Sequence, residues 1–202
     1  MGCRIARFAA TFAFSAVAPQ CTMRYWSTML TVIIECRDNE PELAQTLAAL
    51  VAGAVEGIVR DVVVLDHGSR DGSHEIADAA GCRFLTEWDM TEIVRTARGD
   101  WLLLLEPGAR PLNGWVDAVA EHVAISKGPA RFAGSRSHRR PLLKRLISPR
   151  PALEQGLLVS KRQASTIARK GMRLDQMAAG VRARRLVAEI VPAWAIRAMR
   201  EL

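Results

Sequence analysis

From Met29 onward, short apolar runs alternate with longer segments whose apolar positions recur every three or four residues. Leu30, Thr31, Val32, Ile33 and Ile34 form a short, mostly apolar, β-branched run, the pattern of a buried strand. Asp38, Asn39 and Pro41 are helix-start residues. Leu43, Leu47, Leu50 and Val51 follow at helical spacing, and Gly53 and Gly57 mark the exit. The run DVVVLD (61–66) predicts a second strand, GSRDGS a turn, and residues 74–81 a short helix ending in glycine. Residues 82–85 predict a third strand, 89–98 a helix closed by Gly99, and WLLLLE (101–106) a fourth strand. A helix is expected over 111–126, with Pro111 early in its first turn. Strand–helix alternation with short loops predicts an α/β architecture: a mostly parallel sheet with helices on both faces. In such sheets ligands bind beyond the carboxyl ends of the strands. Here those ends are Glu35-Cys36-Arg37-Asp38, Asp66-His67-Gly68 and Glu106-Pro107-Gly108.

Beyond residue 127 the pattern loosens into a basic, proline-containing stretch, with one strand expected at 130–134. Residues 156–164 read as a strand running into a helix, and 173–185 as a basic helix. Residues 186–191 are apolar and end at Pro192. An amphipathic helix follows, with Trp194, Ile196, Met199 and Leu202 opposite Arg197, Arg200 and Glu201. The expected organisation is a single domain over 29–202, with a ligand-binding half (29–126) and a basic half (127–202). Residues 1–28 have a basic start, a short apolar run and an Ala16-Val17-Ala18 ending, which gives them the look of a signal peptide. Pro19 opposes cleavage there, and the run is too short to span a membrane as a helix. The rival reading is a gene-model extension ahead of a start at Met23 or Met29.

Composition narrows the class. The chain has 202 residues, 50% apolar and 24% charged, which is enough for one globular domain with a full core. Its net charge of +7 is unevenly placed: residues 1–130 carry 11 basic and 17 acidic side chains, residues 131–202 carry 17 and 4. A basic back half suits an anionic partner such as phosphate or a membrane surface, and equally an arginine-rich solvated surface. Nucleic acid is disfavoured, because one tyrosine in the whole chain leaves little for base stacking. The four cysteines form no C-x-x-C pair and read as reduced thiols, and the four histidines are scattered, which disfavours zinc. The chain also lacks G-x-x-x-x-G-K-[ST] and a G-x-G-x-x-G after the first strand.

Candidate chemistry concentrates at VVVLDHGSRDGSHEIADAAG. An Asp at a strand end can accept from a base N–H or a ribose hydroxyl, and the Gly68-Ser69 turn lets a ligand approach the backbone. The alternative is that Asp66 and Asp71 satisfy the amides of their own turn. This segment, together with VIIECRDNEPEL before it and ARGDWLLLLEPGARPLNGWVDAV after it, resembles the family 2 glycosyltransferases, whose nucleotide-sugar-binding fold is the Rossmann-like GT-A fold. The resemblance covers roughly residues 29–125, and LEQGLLVSKRQ further on is similar to the family's acceptor-side segment.

The resemblance implies roles. Asp66, Gly68 and Ser69 would bind the nucleotide, with Asp66 on the base, and Cys36 and Asp38 would lie under the nucleoside. Glu106 falls where the family's metal-binding Asp-x-Asp begins, which implies Mg²⁺ or Mn²⁺ beside the diphosphate. Here Pro107 and Gly108 follow it, so the second carboxylate is missing and Glu106 alone would anchor a metal whose other ligands are phosphates and waters. Asp175 stands where the family carries its general base, with Leu174 in place of a Glu; the alternative is an ordinary helix-start carboxylate. Arg136, Arg139, Arg140, Lys144 and Arg145 offer a direct clamp for a diphosphate, or a contact with anionic lipid together with the C-terminal helix. The expectation is therefore a cytoplasmic glycosyltransferase, peripheral at the inner face of the plasma membrane. It would move a sugar from a nucleotide-diphosphate donor to a lipid-linked or polysaccharide acceptor. The alternative is a catalytically degenerate GT-A-fold binding or scaffold protein.

Overall fold

The computed structural model describes residues 29–138 and 151–200, with side chains described to residue 198. Four apolar runs become the strands expected: β1 (Leu30–Cys36), β2 (Val59–Asp66), β3 (Arg83–Leu85) and β4 (Trp101–Leu105). Between them lie α1 (Glu40–Val55), α2 (Ser73–Ala79) and α3 (Met90–Thr96). Then follow β5 (Arg110–Pro111), α4 (Trp115–Ile125), β6 (Ala130–Gly134) and β7 (Leu157–Ser160). The chain continues through α5 (Lys161–Ile167), α6 (Leu174–Ala178), β8 (Arg184–Val191) and α7 (Ala193–Arg200).

The eight strands of the described residues form one curled sheet in the order β3-β2-β1-β4-β7-β6-β8-β5. The strands β3, β2, β1 and β4 run parallel, whereas β7 is antiparallel to both β4 and β6. β6 and β8 are parallel, and β5 caps the edge antiparallel to β8. The central strands are buried on both faces, and their side chains divide by the two-residue period of a strand. Val32, Ile34, Val64, Leu103 and Leu105 face Leu43, Leu47 and Leu50 of α1 and Trp115, Val116 and Val119 of α4. Ile33, Val63, Leu65, Leu102 and Leu104 face Met90, Ile93 and Val94 of α3, together with α5 and α6. This two-sided cover is why the strands carry continuous apolar runs. Gly99 is fixed by the same packing: a Cβ there would stand 2.5 Å from the Met29 carbonyl, and its amide donates to Thr31 Oγ1 at 2.9 Å. The Ala-Arg-Gly-Asp motif therefore builds the amino end of β4, opposite the ligand-binding end.

Two expectations are corrected. The basic helix over 173–185 is a five-residue helix; Ala179 turns extended, Gly180 takes φ +75°, and the chain enters β8. Leu186, Ala188 and Ile190 are buried while Arg185 and Val187 are exposed, so residues 184–191 follow a two-residue period, not a helical one. The helix expected from Pro111 begins at Trp115, and Pro111 pairs with Ile190 at the sheet edge, where a missing N–H is tolerated. The antiparallel entry of β7 also matters for the site. Leu157 pairs with Leu104, so residues 151–156 lie beside the carboxyl end of β4.

Candidate functional site

A cavity of about 570 Å³ opens at the carboxyl ends of β1 and β4. Glu35, Cys36, Arg37 and Asn39 come from β1 and the loop after it, His67 from the end of β2, and Glu106 and Pro107 from the end of β4. The opposite wall is Pro151, Ala152 and Leu153, with Arg173, Asp175 and Gln176 from the start of α6 and Trp194 and Arg197 from α7. Of the residues singled out in the sequence, Cys36, Glu106 and Asp175 line this cavity together.

Asp38, Asp66, Gly68 and Ser69 stand behind its wall, in a hydrogen-bonded brace between the loops after β1 and β2. Asp66 is 3% exposed and accepts from the amides of Gly68 (2.9 Å) and Ser69 (3.0 Å), from Ser69 Oγ (2.5 Å) and from the Cys36 thiol (3.6 Å). Burial alone would raise its carboxyl pKa. The Ser69 hydroxyl, the two amides and the Cys36 thiol outweigh burial and hold it below its ordinary value. Burial, and then the charge of Asp66, pushes the Cys36 thiol up to about 12, so Cys36 is a neutral donor. Asp38, at φ +50°, donates its amide to Ser69 Oγ (2.9 Å) and accepts the Arg70 amide (2.7 Å). Glu40 donates its amide to Asp71 (2.8 Å) and accepts that of Gly72 (3.0 Å). All of these bonds to Asp66 come from its own turn and from Cys36.

Sequence reasoning gave no role to Glu35, which joins three elements around the cavity. Glu35, whose side chain is 10% exposed, bonds His67 Nε2, accepts the Leu174 amide at 2.7 Å and lies 3.4 Å from Arg173 Nε. It ties the end of β1 to the start of α6. His67 rests edge-on against Trp88, with ring centroids 5.4 Å apart. The signal was partly present, because the rule that ligands gather at strand ends reaches both Glu35 and His67. Arg173 and Arg197 are brought in by the fold alone. Asp175 occupies the first turn of α6, its side chain 54% exposed, accepting the Gln176 amide at 2.9 Å and lying 3.5 Å from Arg173 Nε.

Glu106, Pro107, Gly108 and Ala109 form a tight turn closed by the Ala109 amide on the Glu106 carbonyl at 3.0 Å. Pro107 and Gly108 at φ +94° fit the two central positions of a type II turn. The Gly108 amide is spent on the Glu42 carbonyl (3.0 Å) and Thr46 Oγ1 (2.8 Å), and a Cβ there would stand 3.3 Å from Ala193 Cα. Among the described residues no three His, Cys, Asp or Glu side chains gather as metal ligands. These residues do not fit a divalent ion held between two protein carboxylates.

Arg136 pairs with Glu189 of β8 at 3.3 Å and does not line the cavity; Arg139, Arg140, Lys144 and Arg145 lie outside the described residues. Ala193, Ala195 and Ile196 of α7 are buried, so that helix spends its apolar face on the fold. Trp194 Nε1 donates to Glu154 at 3.2 Å. Among the described residues no helix is long and apolar enough to cross a membrane.

The fold is GT-A-like. It is similar to crystal structures of glucosyl-3-phosphoglycerate synthase from Mycobacterium tuberculosis. The synthase in complex with Mn²⁺ and UDP-glucose matches with a TM-score of 0.55 at 15% identity, over 88% of this chain and 77% of that one. A second crystal structure of it matches with a TM-score of 0.53 at 17% identity, over 78% and 70%. With phosphoglyceric acid bound, the synthase matches with a TM-score of 0.51 at 16% identity; the chain spans 59% of its length, and 69% of this chain is covered. No family model matches the sequence, and neither does any curated protein.

Proposed function

We propose that this chain is a glycosyltransferase that takes its sugar from a nucleoside diphosphate donor bound at the carboxyl ends of β1, β2 and β4. The observation that carries this reading is the cavity at the strand ends of a GT-A-like fold, with carboxylates on both of its walls. The braced loops after β1 and β2 form a preorganised shelf for the nucleoside, with Cys36 facing the cavity and Asp38, Asp66, Gly68 and Ser69 holding its shape. Asp175, across the cavity, is the group to remove the acceptor's proton as the sugar is transferred. Glu35 fixes the start of the helix that carries it. The leaving nucleoside diphosphate develops negative charge, which positive groups aimed at it stabilise. The acceptor enters from the α6 and α7 side, and a lipid-linked or polysaccharide acceptor at the inner membrane face remains part of the proposal.

Titration calorimetry with UDP- and GDP-sugars is the test. Binding of one nucleotide series is expected, and no heat from any of them ends the reading. The turn at Glu106-Pro107-Gly108 and Leu174 in place of a second acidic residue favour the rival, a binding protein that keeps the fold without turnover. Donor hydrolysis that disappears in Asp175→Asn decides for the enzyme.

A further inference from the structure

A side chain at position 108 is disfavoured by the φ of +94° and would press on Ala193, the first residue of α7. Arg197 lies four residues further on, hence on the same face of that helix, and it lines the cavity. The helix therefore crowds the place of a second metal-binding carboxylate and delivers a guanidinium to the same crevice. Arg37 reaches the cavity from the β1 loop, and neither Arg37 nor Arg197 forms an ion pair with a carboxylate among the described residues. Arg173 lies within 3.5 Å of both Glu35 and Asp175 and offsets them. The lining holds three arginines and three carboxylates, and of these arginines Arg37 and Arg197 are the two without an ion pair among the described residues. A guanidinium is permanently protonated, and its planar fork matches two phosphate oxygens, so it can neutralise a diphosphate without a bridging cation.

We propose that the donor's diphosphate is held by arginines, Arg197 first with Arg37 beside it, in place of a divalent cation held by the protein. This rests on the nucleotide-sugar reading given above.

The experiment is calorimetric titration of the full chain with UDP, or with GDP if that is the series bound, in EDTA, Mg²⁺ and Mn²⁺. The nucleoside alone is titrated in parallel. The wild-type chain is expected to bind the nucleoside diphosphate in EDTA within about threefold of its affinity in Mn²⁺. Arg197→Gln is expected to weaken that binding by about tenfold or more, the scale of a lost charge-assisted bond, and to leave nucleoside binding unchanged. Arg197→Lys should restore part of the loss, and Arg136→Gln, outside the cavity, should change nothing. Nucleotide binding that requires Mn²⁺ and vanishes in Glu106→Gln would overturn the arginine proposal and leave the glycosyltransferase reading standing. No nucleotide binding in any condition, by protein whose circular dichroism shows it folded, would overturn both.

Discussion

The two walls of the cavity are built on different principles. On the β1–β2 side, the loop carboxylates behind Glu35, Arg37 and His67 are turned inward on the protein: Asp66 satisfies four donor groups, and Asp38, Glu40 and Asp71 lace one loop to the next. On the α6–α7 side, the charged groups face the cavity, with Asp175 and Arg173 more than half exposed. The first wall is stable because its polar groups are satisfied; the second can react because some of its groups are not. A side chain removed from the brace should therefore cost stability, and one removed from the rim should cost activity with little effect on folding.

The largest loss of stability is expected for Asp66→Ala. Removing a buried acceptor strands the Gly68 and Ser69 amides and the Ser69 hydroxyl, and about 3 kcal/mol of unfolding free energy should go, read by urea denaturation. The sign of the pH dependence follows from the lowered folded pKa of Asp66. Its contribution is complete above the unfolded carboxyl value of about 4 and is lost as pH falls through the lower folded value. Asp66→Asn should therefore flatten the acid limb of the stability profile. An unchanged acid limb would mean that the brace does not depend on that charge.

Gly108→Asp comes next, and it probes the boundary between the walls. It restores the carboxylate of an Asp-x-Asp pattern, but at φ +94° and against Ala193. A loss of about 2 kcal/mol is expected, with no new Mn²⁺ affinity by calorimetry. A stable variant that gains Mn²⁺ binding would show that the turn tolerates what its backbone geometry disfavours.

These contrasts also explain what was legible in the sequence. The strands of the first wall announce themselves, because burial on both faces demands unbroken apolar runs such as 62–65 and 101–105. Its turns do too, because Asp, Gly and Ser at fixed offsets are turn chemistry. The rim is written in long-range contacts. Leu174 meets Glu35 across 139 positions, and no local period encodes that. Over 173–185 arginines and alanines favour helix locally, whereas Gly180 and the pairing of β8 with β6 decide otherwise. Glu106 was legible as a strand end. What followed it was not, because the consequence of Gly108 depends on Ala193, which is distant in the chain.

Glu35→Gln should fall between the two walls. Glutamine keeps an acceptor for the Leu174 amide but loses the charge facing His67 and Arg173, so about 1 kcal/mol of stability is expected to go. Because the same side chain sets where α6 starts, kcat should fall about tenfold with KM for the donor nearly unchanged. A change in KM alone would make Glu35 part of the donor pocket and not a brace for Asp175.

The smallest effect on stability is expected for Asp175→Asn. The helix it opens has five residues, so the dipole it interacts with is short, and its side chain is 54% exposed. Its one backbone bond, from the Gln176 amide, can be kept by the Asn oxygen. Unfolding free energy should change by less than about 0.5 kcal/mol. Turnover should nonetheless fall by about a hundredfold, because the amide cannot take the acceptor's proton. A stable variant with lost turnover places the chemistry on the exposed wall, where its charge is not consumed by the fold. A variant that loses stability instead would make Asp175 one more structural carboxylate and erase the difference between the walls.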